Sequence, residues 1–252
     1  MTITLQGEPF IAYVLAAIRV LAWIMLVPPF SFKAVPAMAK SLLAFGLALA
    51  MAPTLTMTEI PTDAWTLGSY AVQEALIGAT LGFVTYMIFA AVQAAGDLID
   101  VFGGFSLAMG FDPLSFNQNA AFGKLYQMLA LMLLFATDAH LLLVGGLLKT
   151  FERMPVGTLW QVADIGQVLV QAFTVFFVSA VQIALPMIGV LFITDLGLAL
   201  LTKVAPQLNA IMVMFPAKIM LTLFLIGLSL PVLPNAIERL LEAVSDAVGA
   251  IG

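Results

Sequence analysis

The chain has no cysteine, a single histidine and very few charged residues. Disulfide bonds, thiolate metal sites and cysteine nucleophiles are therefore excluded. Only 9% of the 252 residues are charged and 63% are hydrophobic, whereas an ordinary soluble domain has about 25% charged residues. Soluble enzymes, nucleic-acid-binding proteins and disordered tails are excluded by this composition. It predicts a protein that lies in a lipid bilayer or among other membrane proteins.

Motifs for catalysis and for nucleotide binding are also absent. The chain contains no His-Glu-x-x-His, Gly-x-Ser-x-Gly, Walker or GxGxxG motif. Its net charge of −5, without any basic run, argues against a nucleic-acid partner. We therefore expect no enzymatic activity, no catalytic residue, no metal and no cofactor.

Six apolar stretches are candidates for membrane crossings, since a helix needs about 20 apolar residues to cross a hydrocarbon core. They are residues 10–29, 41–57, 70–96, 124–148, 167–202 and 208–233. The fifth stretch has 36 residues and would be roughly 54 Å long as a straight helix, too long for one crossing. Pro186 near its centre lacks a backbone donor, so we expect two packed helical pieces with a kink or break at that residue.

The segment 235–252 has apolar and charged residues on opposite faces of a helix. Asn235 is placed to cap this helix, with Glu238 three residues later as in a capping box. The pattern predicts a short amphipathic helix that lies at an interface or docks on a partner.

Several ionisable residues lie within the apolar stretches, where a charge costs about 2.5–3.5 kcal/mol by insertion scales. They are Arg19, Glu74, Asp138, His140, Asp195 and Lys218. Gln93, Asp97 and Asp100 follow an i, i+4, i+7 spacing and share one helix face. One interpretation is hydrogen bonding between helices inside a large assembly. The other is an ion or proton path in which Asp138 and His140 act as relay groups.

Small residues recur on one side of the third stretch, namely Ala75, Gly78, Ala79 and Gly82. Such residues allow two helix backbones to approach each other closely. The pattern therefore predicts close packing of this stretch against another helix, and it requires no chemistry.

Residues 103–123 combine helix-breaking residues with bulky apolar ones. Gly103, Gly104, Gly110 and Pro113 interrupt a helix, yet phenylalanine, leucine and methionine are too frequent for a solvated loop. Irregular backbone at membrane depth is tolerated only when it is buried in protein or lines a water-filled cavity. The segment is either a loop that closes a constriction or an interfacial loop with an aromatic belt.

Short motifs in a fixed order extend over most of the chain. They are Arg19 with Pro28, Pro36 and Lys40, Glu74-x-x-x-Gly78-x-x-x-Gly82, Gly96-Asp97-x-x-Asp100-x-x-Gly103, Asp112-Pro113, Pro155-x-Gly157, Pro206-Gln207-Leu208-Asn209 and Phe215-Pro216-x-Lys218. With these motifs the chain resembles the FliR family of flagellar export-gate proteins and its counterparts in injectisome type III secretion. Residues 184–219 are also similar to FliQ, a small partner of that family.

The resemblance implies an all-α, membrane-associated fold of kinked helical hairpins. Residues 1–166 would be FliP-like, residues 167–234 a FliQ-like hairpin, and residues 235–252 the amphipathic C-terminal helix. One copy would assemble with several FliP-like and FliQ-like subunits into a helical, closed pore. The implied location is the bacterial inner membrane within the flagellar basal body. Further implied partners are an FlhB-like switch protein, an FlhA-like protein and unfolded export substrates.

The resemblance also implies roles for individual residues, with 103–123 as a loop that plugs the pore. The implied gasket side chains are Phe105, Met109, Phe111 and Phe116. The implied turns and polar contacts of the loop are Gly103, Gly104, Gly110, Asp112, Pro113, Asn117 and Gln118. Polar contacts between helices or subunits would involve Arg19, Glu74, Asp97, Asp100, Gln207, Asn209 and Lys218.

The alternative function is a self-contained secondary transporter or ion channel that uses Glu74, Asp97, Asp138 and Asp195. The two functions make different predictions. The transporter predicts flux through the purified chain alone in liposomes, whereas the gate subunit predicts that the isolated chain is unstable and requires partners.

Overall fold

The computed structural model describes residues 7–51, 63–105, 120–157, 162–205 and 210–240. All regular secondary structure within these ranges is helical, which confirms the all-α prediction. The helices are α1 (Gly7–Leu26), α2 (Ala37–Met51), α3 (Ala64–Gly103), α4 (Ala121–Ala136), α5 (Ala139–Arg153), α6 (Val162–Val204), α7 (Ala210–Ser229) and α8 (Leu233–Leu240).

Membrane-capable helices are fewer than the sequence predicts. Within the described residues two helices are long and apolar enough to cross a membrane, or up to four if each of two interrupted helix pairs counts as one crossing. Helix α1 has 20 residues in all, but its part Phe10–Leu26 and helix α2 (Ala37–Met51) count only as shorter apolar helices, because the side chains of residues 7–9 and the whole of residues 52–57 lie outside the described part of the chain. The described residues thus contain two to four membrane-capable helices, and a crossing by the first and second apolar stretches stays a prediction.

Helix α6 is one continuous element of 43 residues with Pro186 inside it. The predicted division into two helical pieces at this proline is therefore wrong. A proline removes a single backbone donor, and long apolar helices tolerate that loss where neighbouring groups satisfy the freed carbonyl. The remaining backbone bonds on both sides are enough to continue the helix.

A break occurs instead in the fourth apolar stretch, between Ala136 and Ala139. Asp138 adopts the left-handed conformation with a φ of 56°, which aspartate tolerates better than most residues. Its carbonyl accepts a hydrogen bond of 2.9 Å from the Leu141 amide, so α5 begins directly after it. The expectation of one uninterrupted helix over residues 124–148 is wrong.

Helix α8 follows α7 at a bend of 63°. The Ala236 amide donates to the Val232 carbonyl at 3.3 Å, so Asn235 lies inside the helix and the predicted cap at Asn235 is wrong. Ile237 and Leu240 are buried, while the charged residues between them are exposed, as the amphipathic pattern predicts. Residues 241–252 of the predicted helix lie outside the described residues.

The chain divides into two compact units built from segments distant in sequence. One comprises residues 1–87, 137–173 and 243–252, and the other comprises residues 88–136 and 174–242. Helices α3 and α6 contribute to both units. The predicted FliP-like and FliQ-like parts refer to similarity with other proteins, and that division stays a prediction.

The first unit has a core of buried side chains from α1, α2, α5 and the first half of α3. It includes Trp23, Ile24 and Ile77. Helices α1 and α3 approach closely here, because a Cβ on Gly78 would overlap the carbonyl oxygen of Arg19 and one on Gly82 would lie 3.1 Å from that of Trp23. The predicted close packing is confirmed, and the partner helix is α1 of the same chain.

The N-terminus of α3 is capped by Asp63. The Asp63 carboxylate accepts hydrogen bonds from the Thr66 amide at 3.0 Å and from the Thr66 hydroxyl at 2.6 Å. Both bonds favour the charged form and lower the pKa of Asp63 below its ordinary value. The cap therefore contributes stability that is complete above about pH 4 and is lost as the pH falls through the lowered pKa.

We expect Asp63→Ala to increase hydrogen exchange of the α3 amides 64–67 at pH 7, because it removes the acceptor for the Thr66 amide. Asp63→Asn is the matched control, since asparagine caps as well as aspartate but does not titrate. It should keep protection at pH 7 and remove the decline at low pH. Equal protection in the wild type and Asp63→Ala would contradict the assignment of this cap.

Candidate functional site

In the first unit, a fully buried ion pair joins α1 to α3. Arg19 Nε lies 2.6 Å from Glu74 Oε2, and the two side chains are 0% and 2% exposed. Arg19 Nη1 also donates to the carbonyl oxygen of Met154 at 3.0 Å. The sequence predicts both residues as polar contacts, and the structure brings them together within one chain.

Backbone groups at the end of α5 surround this pair. The Thr150 carbonyl accepts from Arg19 Nη1 at 3.5 Å, and the guanidinium lies 4.3 Å from the centre of the Phe151 ring. The Gly157 amide donates to Glu74 Oε1 at 3.4 Å. A cation is favoured near the negative end of a helix dipole, so α5 stabilises the charge on Arg19. These backbone partners were not predicted, although the Pro155-x-Gly157 motif marks the turn that carries them.

In the second unit, a more accessible ion pair joins α6 to α7. The Lys218 ammonium lies 2.8 Å from each carboxylate oxygen of Asp195, and the side chains are 18% and 36% exposed. Lys218 and Asp195 are both among the ionisable residues for which the sequence allows hydrogen bonding between helices, and Asp195 is also a candidate residue of the transporter alternative. Pairing occupies this carboxylate, as it occupies that of Glu74.

Helix α3 contacts the beginning of α4 through small residues and carboxylates. The buried Asp100 accepts a hydrogen bond from the Phe122 amide at 3.3 Å, one of the first amides of α4, which lack a partner within the helix. A Cβ on Gly96 would lie 2.5 Å from the Phe122 carbonyl oxygen, and one on Gly123 would overlap the Asp97 carboxylate. Asp97 and Asp100 therefore face the start of α4, as their shared helix face predicts.

The residues on either side of the segment 106–119 lie close to each other. Phe105 precedes the segment, Phe122 follows it, and their rings meet edge to face with centroids 4.6 Å apart. Such a pair contributes about 0.5–1.5 kcal/mol beyond the area that it buries. The chain thus leaves α3 and enters α4 at one place.

Two glycines, Gly103 and Gly104, lie at the C-terminal end of α3. Helix α3 ends at Gly103, and Gly104 has a φ of +82°, a conformation that glycine adopts without strain. A Cβ on Gly103 would lie 2.8 Å from Thr222 Cγ2, and one on Gly104 would lie 3.7 Å from Lys218 Cδ. Both positions thus lie directly against α7.

The remaining predicted residues are not all described. Met109, Gly110, Phe111, Asp112, Pro113, Phe116, Asn117, Gln118, Gln207 and Asn209 lie outside the described residues and stay predictions. Asp138 is exposed at the break before α5, and His140 is partly buried in the first turn of that helix. No group of three or more histidine, aspartate or glutamate side chains in the described part of the chain could hold a metal ion.

A further polar contact was missed by the sequence analysis. The Tyr126 hydroxyl lies 2.7 Å from Ser229 Oγ and 3.6 Å from Met187 Sδ. It connects α4 with α6 and α7, and the tyrosine is almost completely buried. The only sequence signal is a tyrosine within an apolar stretch, where a buried hydroxyl requires a partner.

The long helices differ in how much of their apolar surface the chain itself covers. In the most apolar 18 residues of α3, 67% are buried within the chain. In the corresponding 18 residues of α6, only 22% are buried. Exposed large side chains on α6 include Phe173, Phe177, Phe192 and Ile193. An apolar surface of this extent requires lipid or partner proteins to cover it.

Comparison with known proteins gives a consistent family assignment. The family described as bacterial export proteins, family 1, matches residues 10–244. The chain is 32% identical to flagellar biosynthetic protein FliR of Escherichia coli K12, over 93% of this chain and 90% of that protein. It is 30% identical to flagellar biosynthetic protein FliR of Bacillus subtilis 168, over 96% of both chains. These matches confirm the predicted resemblance, and the chain belongs to bacterial export proteins, family 1, together with the FliR proteins.

Proposed function

We propose that the protein is a subunit of the flagellar protein-export gate. In this function it forms, with FliP-like and FliQ-like subunits, a plugged pore through which unfolded flagellar proteins pass. The relatives that carry the name flagellar biosynthetic protein FliR support the flagellar assignment. The observation that supports the plug is the closed base of the segment 106–119, formed by Phe105 and Phe122.

A loop with a closed base is suited to reversible displacement. Asp100 and Gly96 hold the start of α4 against α3, so the flanking helices keep their positions when the loop moves. Between the two ends, the sequence supplies Met109, Phe111 and Phe116. These apolar side chains can repack without losing a fixed hydrogen bond, which allows a seal that closes against ions and opens for a polypeptide.

The poorly covered surface of α6 supports assembly with other subunits. Only 22% of the most apolar 18 residues of α6 are buried within the chain. In an assembly, the FliP-like and FliQ-like subunits would cover the remaining apolar surface of this helix. A membrane location follows from the apolar helices, and the bacterial inner membrane of the basal body is the proposed compartment. FlhB-like and FlhA-like proteins are further proposed partners. The proposed role is steric and involves no catalysis.

The plug is tested by deleting residues 106–116 and measuring ion conductance of the purified complex in planar bilayers. The wild-type complex should be closed, and the deletion should produce a steady ionic current because the seal is removed. Phe10→Ala is the matched control, since Phe10 is an exposed phenylalanine on α1, 69% accessible, far along the chain from the loop. Unchanged conductance in an intact deletion complex would refute the plug.

The subunit assignment is tested by affinity purification of the tagged full chain from membranes. FliP-like and FliQ-like proteins should purify with it in a single complex. If the chain instead purifies alone and conducts ions in liposomes without partners, the transporter alternative is favoured. Glu74 and Asp195 argue against that alternative, because each is held in an ion pair with a basic residue of the same chain.

A further inference from the structure

The first two helices and the loop between them carry basic residues without any acidic one. Residues 9–58 contain Arg19, Lys33 and Lys40 but no aspartate or glutamate. Arg19 is paired with Glu74, whereas neither lysine forms an ion pair within the described part of the chain. The whole chain has a net charge of −5, so the two lysines form a local positive site on an acidic protein.

Lys40 is buried although it lies in the first turn of α2. It is 7% exposed, whereas the four residues before it, 36–39, are exposed. Its ammonium donates to the Ser31 carbonyl at 3.2 Å, and Ser31 is partly exposed. The stem is thus covered while the charged end reaches the loop, as is usual for long basic side chains. A buried charge is costly without a counter-charge, and a carbonyl oxygen supplies none.

Lys33 lies in the same loop, residues 27–36, and is exposed. The loop is folded into turns, because the Ser31 amide donates to the Val27 carbonyl at 2.9 Å. This turn and the bond from Lys40 to Ser31 hold the loop against the beginning of α2. The positive end of the α2 dipole adds to the charge of the two lysines, so this end of the helix attracts an anion.

One face of α2 is apolar and exposed over most of its length. Its side chains follow an i, i+4, i+7, i+11 spacing and are Met38, Leu42, Phe45 and Leu49, which are 74%, 63%, 46% and 64% exposed. From the first to the last of them the helix rises roughly 16 Å. One leaflet of a bilayer is about 15 Å deep, half of the ~30 Å hydrocarbon core.

We propose that the loop 27–36 and this face of α2 bind an anionic phospholipid. The headgroup phosphate lies at the loop that carries Lys33 and Lys40, and an acyl chain lies along the exposed face of α2. The positive charge is confined to one end of an apolar face that is one leaflet deep, which is the pattern of a lipid and not of a protein helix. The inference does not rest on the export-gate function, since it requires only that the chain lies in a membrane.

A fluorescent label on α2 tests the site locally. The natural chain has no cysteine, so Leu42→Cys provides a single thiol in this chain for the label. The labelled full chain, purified with the subunits that accompany it, is reconstituted in phosphatidylcholine vesicles. Phosphatidylglycerol or phosphatidylcholine with brominated acyl chains is then added, and both should quench the label. The anionic lipid should quench at a lower fraction of the total lipid, because the two lipids share their chains and differ in charge.

Removal of the lysines should abolish this preference. Lys33→Met and Lys40→Met should each lower the relative affinity for phosphatidylglycerol about fivefold, which corresponds to the ~1 kcal/mol that a lysine contributes near an anionic surface. Lys33 is exposed, so its variant tests the charge without a change in the core. Lys203→Met, at an exposed lysine in the last turn of α6, is the matched control and should leave the preference unchanged.

Three results would overturn the lipid site. The first is equal quenching by the two brominated lipids, and the second is a preference that both lysine variants retain. The third is a label that neither lipid quenches, which would show that another subunit covers this face of α2. Leu200→Cys on α6, 65% exposed, is the control for the label and should be quenched without a preference. Inorganic phosphate should not reduce the quenching at residue 42, and a reduction would assign the lysines to a free anion instead.

Discussion

Arg19→Met is expected to destabilise the protein by about 3–5 kcal/mol, because it leaves the buried Glu74 carboxylate without its partner. Glu74 is 2% exposed, and Arg19 supplies its ion pair at 2.6 Å. The Gly157 amide alone, at 3.4 Å, cannot replace the guanidinium. The measurement is thermal unfolding of the purified complex in detergent, followed by circular dichroism, together with the amount of the protein in membranes.

The double variant Arg19→Met/Glu74→Leu should recover much of the lost stability, because an apolar pair of similar volume removes the unpaired charge. Lys33→Met is the surface control, since Lys33 is exposed, and should have little effect. If the loss of unfolding free energy in the double variant equals the sum of the losses in the two single variants, the pair contributes no coupling energy. In that case the backbone contacts of Arg19 to Thr150 and Met154 would account for the loss.

Gly78→Ala is expected to destabilise the protein by about 1–3 kcal/mol through overpacking. The added Cβ would overlap the Arg19 carbonyl oxygen, which belongs to the backbone of α1 and cannot rotate away. The substitution therefore requires α1 and α3 to separate along the same face that carries the Arg19–Glu74 pair.

Gly68→Ala is the matched control on the same helix. Nothing lies within 4 Å of a Cβ at Gly68, so the substitution adds helix propensity without a clash. It should stabilise α3 by up to about 1 kcal/mol. Opposite signs for these two substitutions in the same thermal assay are the expected result, and equal effects would contradict the close packing of α1 on α3.

Helix content was predictable from the apolar stretches, but helix continuity was not. A break was expected at Pro186, which lies inside the continuous α6. The actual break is at Asp138, in a stretch without proline or glycine at that point. The loss of one backbone hydrogen-bond donor does not end a long apolar helix, whereas a residue in the left-handed conformation does. Whether a residue adopts that conformation depends on the packing around it.

The polar residues of the site were predictable as a group, but their pairing was not. Glu74 follows Arg19 by 55 residues, and Ser229 follows Tyr126 by 103 residues. Residues so far apart in the sequence meet only through tertiary packing, and the hydrophobic periodicity of the sequence does not reveal which helices pack together. Gln93, Asp97 and Asp100 were different, because their shared face follows from helix geometry alone, and the face of Asp97 and Asp100 meets α4.

The length of α6 has a consequence for the abundance of this protein in the cell. Its 43 residues extend to roughly 65 Å, about twice the ~30 Å hydrocarbon thickness of a bilayer. The tilts of about 0–40° that membrane helices adopt do not reconcile such a mismatch, so in the proposed gate the neighbouring subunits would cover the part of α6 that extends beyond the bilayer. We therefore expect surplus copies to be degraded, and the steady-state abundance of the chain to follow the supply of its proposed partner subunits.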